Sequence, residues 1–600
     1  MPASQSEYRT IDTDVLVVGG GAAAARAAIA SRAQGARTLV VTKSRFARGG
    51  ATPTANAADL TIDGRSAAEA GLPGDLRDSP ETFFRDIVQD GLFLNNQKVV
   101  EAYVRENLPA TRELIEWGMK VYSYEGAHSQ AYVRGINTSG REVLKALRRG
   151  LDNDPPEWLE DHMLLDLLTR EGQVCGAVVL DQRYGGATVV RCRAVVMATG
   201  GWQAGWFLNS ASTDLTGDGQ AAVYRAGGEL ADMEMVQAMP ACLIWPPSLR
   251  NSYLSYILLS CGLGRLLNSR GERFMVKYDP RMAESSTKEI VSLGTELEIK
   301  AGRGSPHGGV FFTLEGTTRE EFEAGLEAIA IYAPGSVQFR EGFPAFAREA
   351  FAGRVHEVGN LAHYMLGGIR INEEGRGSLP GLFAAGECST GLWGASRVSS
   401  AISEAVIQGR IAGRTAGANA GTAGSLAPDT AQVDESLARA YAPLRRLSGV
   451  APYELKHRLQ NLAATCVGVL KDREGLERAA GELEDIEANV VPELAVRGTR
   501  SRLVNFEWLQ AIELGNLVQV LRLGVLSALH RAESRGAHYR LDSPDTDNDR
   551  WLCNVTARLA DGKPRLGEEP VVTTSITPPR GRMSFEEALK VATSSLSSKE

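Results

Sequence analysis

The feature that most constrains this chain is Asp14 to Ala24, DVLVVGGGAAA, an apolar run of strand length that ends in three glycines and opens into alanines. Continuous Val and Leu suit a buried strand. Ala22 to Ala33 suits a helix, and Arg37 to Thr42 (RTLVVT) reads as a second strand, closing a βαβ unit. The glycines fit G-x-G-x-x-A. Gly19 permits the tight turn, and Gly21 lets backbone N–H groups approach a pyrophosphate. Ala24 allows close helix–strand packing, and the helix start at Ala22 and Ala23 turns its partial positive charge toward the phosphates. An acidic residue for the ribose hydroxyls usually ends strand two. Here Thr42-Lys43 stand there, which weakens a nicotinamide reading.

Composition sharpens this. Gly accounts for 64 of 600 residues, about 11% against a usual level of roughly 7%. No collagen-like period explains the excess, so it marks turns and close backbone approach to a ligand. The net charge of −8 argues against a nucleic-acid partner. Seven cysteines without a CxxC pair give neither metal-ligand spacing nor a disulfide framework, and no metal site is expected. No signal-peptide pattern is visible, and no apolar run approaches the roughly 20 residues of a membrane span. The expectation is a cytoplasmic protein with no direct membrane span.

Further strands are expected at Gln173–Leu180, Thr188–Ala198 and Gly381–Ala385, and helices at Asn96–Trp117 and Gly140–Leu151. Beyond about residue 430 long helical segments take over, after a stretch of linker composition at Thr422–Asp429. The clearest helix places Leu514, Leu517, Val518, Leu521, Val525 and Leu529 on one face. A short helical pattern recurs at Ser584–Ala592.

Four glycine-rich or acidic segments follow the first in order: Ala198-Thr199-Gly200-Gly201, Thr216-Gly217-Asp218-Gly219, GERFM at Gly271–Met275 and GLFAAGE at Gly381–Glu387. With HYMLGG at His363–Gly368 and ESRGAHYR at Glu533–Arg540, this series resembles the flavoprotein subunits of succinate dehydrogenase and fumarate reductase, and L-aspartate oxidase. The resemblance implies an α/β fold: a Rossmann-like FAD-binding domain interrupted by an α+β capping domain and followed by a C-terminal helical domain. The expected boundaries are residues 10–235 and 351–425 for the FAD-binding domain and 236–350 for the cap. The helical domain is expected at 430–545 and a C-terminal tail at 546–600. The resemblance carries FAD contacts onto Gly19 to Ala24, Thr42, Lys43, Arg48, Gly49, Gly50, Thr199, Gly200, Asp218, Glu387, Ala401 and Ile402. In quinone-linked members a His after strand two holds FAD covalently. Gly50 occupies that position and has no nucleophile, so the FAD is expected to be non-covalent.

The family's catalytic pocket is altered here. His363 and Arg397 match, and an Arg there implies a bidentate carboxylate clamp. Met239 stands where the family has a His, Tyr256-Ile257 replace a Thr-Glu pair, and Lys288 replaces the proton-donor Arg. The chain holds only 12 Lys against 53 Arg, so a Lys at an Arg position runs against its own bias. Losing His, Thr and Glu removes the polar grip on a second carboxylate, and a carboxylate left unpaired against Met, Tyr and Ile would cost several kcal/mol. The expected activity is hydride transfer between flavin N5 and a C–C or C–N bond of a carboxylate-bearing small molecule bulkier or more apolar than succinate or fumarate. Lys288, His363 and Arg397 would be the catalytic residues. Electrons would pass to oxygen, a soluble carrier or an iron–sulfur partner. The alternatives are an ordinary fumarate reductase, succinate dehydrogenase or L-aspartate oxidase, and a flavin-binding subunit that has lost its chemistry.

Overall fold

A computed structural model describes residues 8–55, 58–124, 132, 134–260, 262–332, 343–397, 400–422, 424 and 427–592. The glycine motif lies at the centre of a five-stranded parallel sheet. Its strand order is Leu382–Ala384, Ala194–Met197, Val15–Val18, Thr38–Thr42 and Glu157–Glu160. Both faces of the sheet are covered, so its inner strands Val15–Val18 and Ala194–Met197 are apolar and buried throughout, whereas the edge strand Glu157–Glu160 is not. Helix Ala22–Arg32 packs against helix Ala401–Thr422, and only small residues allow that approach. A Cβ at Gly409 would lie 2.5 Å from Ala23 O, and one at Gly413 would lie 2.2 Å from Ala27 O. Residues separated by almost 400 positions thereby wall the same dinucleotide turn.

The run Thr188–Ala198, expected as one strand, is two. Ala187–Arg191 belongs to a second sheet with Tyr8–Asp12, Gln173–Asp181 and His162–Arg170, whereas Ala194–Met197 joins the parallel sheet. The chain crosses between sheets at Arg193, whose side chain pairs with Asp14 at 2.9 Å.

Two long strands, Val236–Trp245 and His356–Met365, run antiparallel out of the nucleotide-binding layers into a four-stranded sheet with Val310–Thr313 and Arg265–Leu267. This unit has its own core, including Leu258, Leu266, Met275, Phe312 and Phe346. It also carries helices Leu254–Ser260 and Lys288–Glu298. The helical region includes Thr430–Arg445, Pro452–Cys466, Arg473–Asp485 and Phe506–His530. The last of these is long and apolar enough to cross a membrane, but most of its apolar stretch is buried inside the protein. Residues beyond 546 do not form a tail. Strands Cys553–Ala560 and Lys563–Pro570 pair as a hairpin and extend a sheet that contains Leu230–Ala231, Gly368–Arg370 and Ser389–Thr390. Part of the Thr422–Asp429 stretch lies outside the described residues.

Candidate active site

A cavity of about 730 Å³ runs from the glycine turn to the foot of the cap. At one end lie Gly19–Ala23, Thr42, Lys43, Gly49, Gly50, Thr199, Gly200, Asp218 and Glu387, joined by Ala401 and Ile402. Gly19 has φ +141°, and a Cβ there would fall 2.1 Å from Ala198 O on the neighbouring strand. Gly21 is the N-cap of the first helix and supplies no capping side chain, so the turn offers backbone N–H groups to an anion. Ala24 is buried in the helix packing and does not line the cavity. Glu387 is reached by Gln203 and by the Met365 N–H at 3.1 Å, and burial pushes its carboxyl up to about 7.

Two expected contacts are placed differently. Arg48 is exposed and lies outside the cavity wall. Lys43 lines the cavity, but its Nζ is held by Asp218 at 2.8 Å, Glu513 at 2.9 Å and the Thr216 hydroxyl at 2.7 Å. Asp218 is therefore paired with Lys43 and also accepts from Asn516 at 2.8 Å. Burial opposes the charge on Lys43, but the two carboxylates outweigh it and raise its pKa. The basic residue that sequence places near phosphates is instead the centre of an ion pair joining strand, loop and C-terminal helix.

At the other end the two strands that enter the cap bring Met239 and His363 together, with Met239 opposite Leu361 in register. His363 Nδ1 lies 2.7 Å from Ser210 Oγ, and Arg397 Nη2 lies 3.1 Å from His363 Nε2. A guanidinium only donates, so Nε2 is the acceptor and the ring is neutral with its proton on Nδ1 toward Ser210. Burial, Arg397 and Lys288 agree with this by driving the His363 pKa well down. The Arg397 guanidinium stacks 4.3 Å over the Tyr364 ring. Tyr364 donates in turn to buried Glu404. Lys288 opens helix Lys288–Glu298, capped by Thr287, with its Nζ 5.9 Å from the Tyr256 ring. Burial and Arg397 bring Lys288 down to about 8, against the opposing pull of Glu289. Glu289 is fixed by Gln237 at 2.8 Å and Ser396 at 2.9 Å. Burial also raises the Tyr256 phenol pKa.

Met239, Cys242 and Leu361 form an apolar cluster against which Leu208, Tyr253 and Tyr256 pack, and Ile257 lines the same space. The cavity thus brings Lys288, His363 and Arg397 to one end beside the apolar wall. Ser210, Tyr253, Tyr364 and Asp214 also line it and were not read from the sequence. Tyr364 adjoins His363 in HYMLGG, a signal that was available. Ser210 and Asp214 sit in an irregular segment whose sequence gives no such signal. Among the described residues no cluster of His, Cys, Asp or Glu is arranged to hold a metal.

Comparison with known proteins finds relatives over most of the chain. Residues 14–402 match the FAD binding domain family, and residues 456–584 match the fumarate reductase flavoprotein C-terminal family. One component chain of the CoM/CoB fumarate reductase of Methanothermobacter marburgensis is 31% identical over 550 residues, covering 90% of this chain and 96% of the relative. L-aspartate oxidase of Streptomyces coelicolor is 30% identical, covering 92% of each chain. The structure of E. coli quinol fumarate reductase FrdA superposes with a TM-score of 0.82 at 27% identity, covering 95% of this chain and 99% of that one. The cofactor end fits FAD on its own geometry. It has a helix start whose N-cap Gly21 supplies no side chain, behind a glycine turn with no room for one, a carboxylate in the cavity wall, and the Thr199 hydroxyl beside it.

Proposed function

Because the chain belongs to the family of FAD-dependent oxidoreductases that includes fumarate reductase, succinate dehydrogenase flavoprotein subunits and L-aspartate oxidase, we propose that it reduces or oxidises a carboxylate-bearing substrate with an apolar far end. The single observation that carries this reading is the apolar wall of Met239, Tyr253, Tyr256 and Ile257 beside the Lys288, His363 and Arg397 cluster.

Bound FAD supplies hydride exchange at N5, and the chain's own side chains do the rest. Arg397 grips the substrate carboxylate with a planar fork that Lys would not reproduce. Neutral His363, steered by Ser210, keeps Arg397 in place and adds no positive charge of its own. Lys288 holds a proton at Nζ and gives it to the substrate carbon in the reductive direction, or takes one in the oxidative direction. Tyr256 and Met239 exclude water and fill the space where a second carboxylate would need partners.

A panel assay with reduced viologen under anaerobic conditions tests this. Enoates carrying a single carboxylate and an apolar or aromatic substituent should turn over, and fumarate should give negligible rates. If fumarate matched or exceeded every member of the panel in kcat/KM, the chain would be an ordinary fumarate reductase and the proposed specificity would be wrong.

A further inference from the structure

The geometry points to a docking face for a small acidic electron-carrier protein, centred on the loop Arg497–Phe506 that leads into the long C-terminal helix. In a chain of net charge −8, this loop reads RGTRSRLVNF, with three arginines and no acid. Its apolar side chains face outward: Leu503 is 60% exposed, Val504 56% and Phe506 75%. Neighbouring Leu447 is 83% exposed and Tyr184 69%. Val504, a β-branched residue, is held at φ +47°, a strained conformation for such a residue. Arg497 and Arg500 are fixed through the carbonyls of Gly449 and Leu447, at 2.7 and 3.0 Å. Arg502 lies 4.6 Å over the Tyr441 ring. These guanidinium groups are oriented by carbonyls and a ring, and the neighbouring Glu507 carboxylate is engaged by the backbone N–H groups of Arg497 and Gly498, so the arginine charges face solvent. A cluster of exposed apolar side chains rimmed by arginines marks an interaction site, and its charge complements an acidic partner.

The position of this loop favours an electron carrier. The Val504 N–H donates to Arg183 O at 3.0 Å. Arg183 pairs with Asp161 at 2.6 Å, and Asp161 meets Arg45 at 3.8 Å. Arg45 lies in the segment that forms the cavity wall at Lys43, Ser44, Gly49 and Gly50. The Gly50 N–H is held by Asp214 at 2.9 Å, and four residues before Asp214, Ser210 holds His363. From the other side, Glu513, two turns into the helix that Phe506 begins, reaches Lys43 in the same wall. The patch is thus joined by these contacts to the cofactor end of the cavity, at the wall of Lys43, Gly49 and Gly50 that a bound flavin dinucleotide would line. The reduced flavin is where electrons taken from a substrate must leave. Two oxidised carriers in turn each take one electron from reduced FADH−, the N5 proton passes to solvent, and FAD is restored. Transient redox encounters need only a small interface.

This proposal depends on the functional reading above only in needing a reduced flavin, so its test uses no substrate. The holoenzyme is photoreduced anaerobically and mixed in stopped flow with oxidised plastocyanin, an acidic one-electron protein, or with cytochrome c, a basic one. Plastocyanin should reoxidise the wild-type flavin at a rate that falls with ionic strength. The triple change Arg497→Glu, Arg500→Glu and Arg502→Glu should slow that reaction about tenfold and flatten its salt dependence. The same change should not slow cytochrome c. The pair Leu503→Ser and Phe506→Ser should lower the plastocyanin rate severalfold without altering its salt dependence. Unchanged flavin content and visible spectrum show that the variants fold. Wild-type plastocyanin rates in both variants would overturn the proposal. So would an unchanged plastocyanin rate combined with loss of wild-type binding to phosphatidylglycerol vesicles, which would make the loop a lipid contact. If the enoate panel failed while the charge-dependent reoxidation held, the substrate reading alone would fall.

Discussion

Lys288 is the residue on which burial and a neighbouring cation act together, and its pKa near 8 has a consequence for rate. Below that value the ammonium is intact and can protonate a substrate carbon. Above it the acid is lost, so reductive turnover should fall about tenfold per pH unit beyond 8. Lys288→Arg should carry this limb above the accessible range, because guanidinium stays protonated. Lys288→Met should lower the rate at least about 100-fold. Rates of the responsive enoate between pH 6 and 10 decide this, and full turnover by Lys288→Met would end the assignment. Lys288, His363 and Arg397 were legible because each falls at a fixed spacing from a recognisable motif. Ser210 was not, because its bond to His363 spans 153 residues and exists only after the cap strands close over it. The sequence places Lys43 and Asp218 in the cofactor region but does not show that they pair with each other, since Glu513 and Asn516 complete that network from a helix 470 residues beyond Lys43.

Secondary-structure elements were legible where one period dominates. The helices at Gln97–Glu116 and Gly140–Asn153 match the three- and four-residue apolar spacing, and the expected Gly381–Ala385 strand appears as Leu382–Ala384. The failure at Thr188–Ala198 has a physical cause. Two apolar strands separated by Cys192-Arg193 look continuous, and only the Arg193–Asp14 pair marks the crossing between sheets. The turn at Gly19 supplies a test at this scale. Gly19→Ala would force a methyl against Ala198 O and distort a left-handed backbone, a cost of about 3 kcal/mol or more. Gly421→Ala, with open space around it near the end of its helix, should be neutral or slightly stabilising. The ratio of flavin to protein absorbance should collapse in the first variant and hold in the second; equal flavin content in both would contradict the reading of the turn. The loop at Gly50 gives another expectation. Its backbone is tied to Asp214, and Gly50 itself has no side chain to bond the cofactor. Acid precipitation should leave yellow flavin in the supernatant, and colour retained in the pellet would count against non-covalent binding.

For the molecule as a whole, the motif ESRGAHYR served in the sequence only as a mark of resemblance, yet structurally it joins three parts of the chain. Arg531, just before it, donates to Glu234 at 2.6 Å and to Glu533 at 3.1 Å, and also to the carbonyls of Trp551 and Cys553. Arg535 donates to Glu533 at 2.8 Å and to Leu92 O at 2.9 Å. The entry to the cap, the nucleotide-binding layers and the C-terminal hairpin therefore meet around two fully buried guanidinium groups that share Glu533. The partners of Arg531 lie up to 299 residues away, which no local pattern can reveal. Arg531→Leu would leave Glu234 and Glu533 without it and should cost about 3–5 kcal/mol. The pH dependence follows from where the protons bind. Burial and Glu234 already hold Asp232 above the usual carboxylate range even with Arg531 present. Without the cation, which lowers it, Asp232 would be pushed higher still and would keep its proton in the folded state at pH values where the unfolded chain has lost it. The folded state then binds more protons, so the variant gains stability as pH falls from neutral toward about 5. The melting-temperature gap between wild type and Arg531→Leu should therefore be smaller at pH 5.5 than at pH 8. An equal gap at both pH values would mean that the guanidinium acts through packing and hydrogen bonds rather than by lowering the pKa of Asp232.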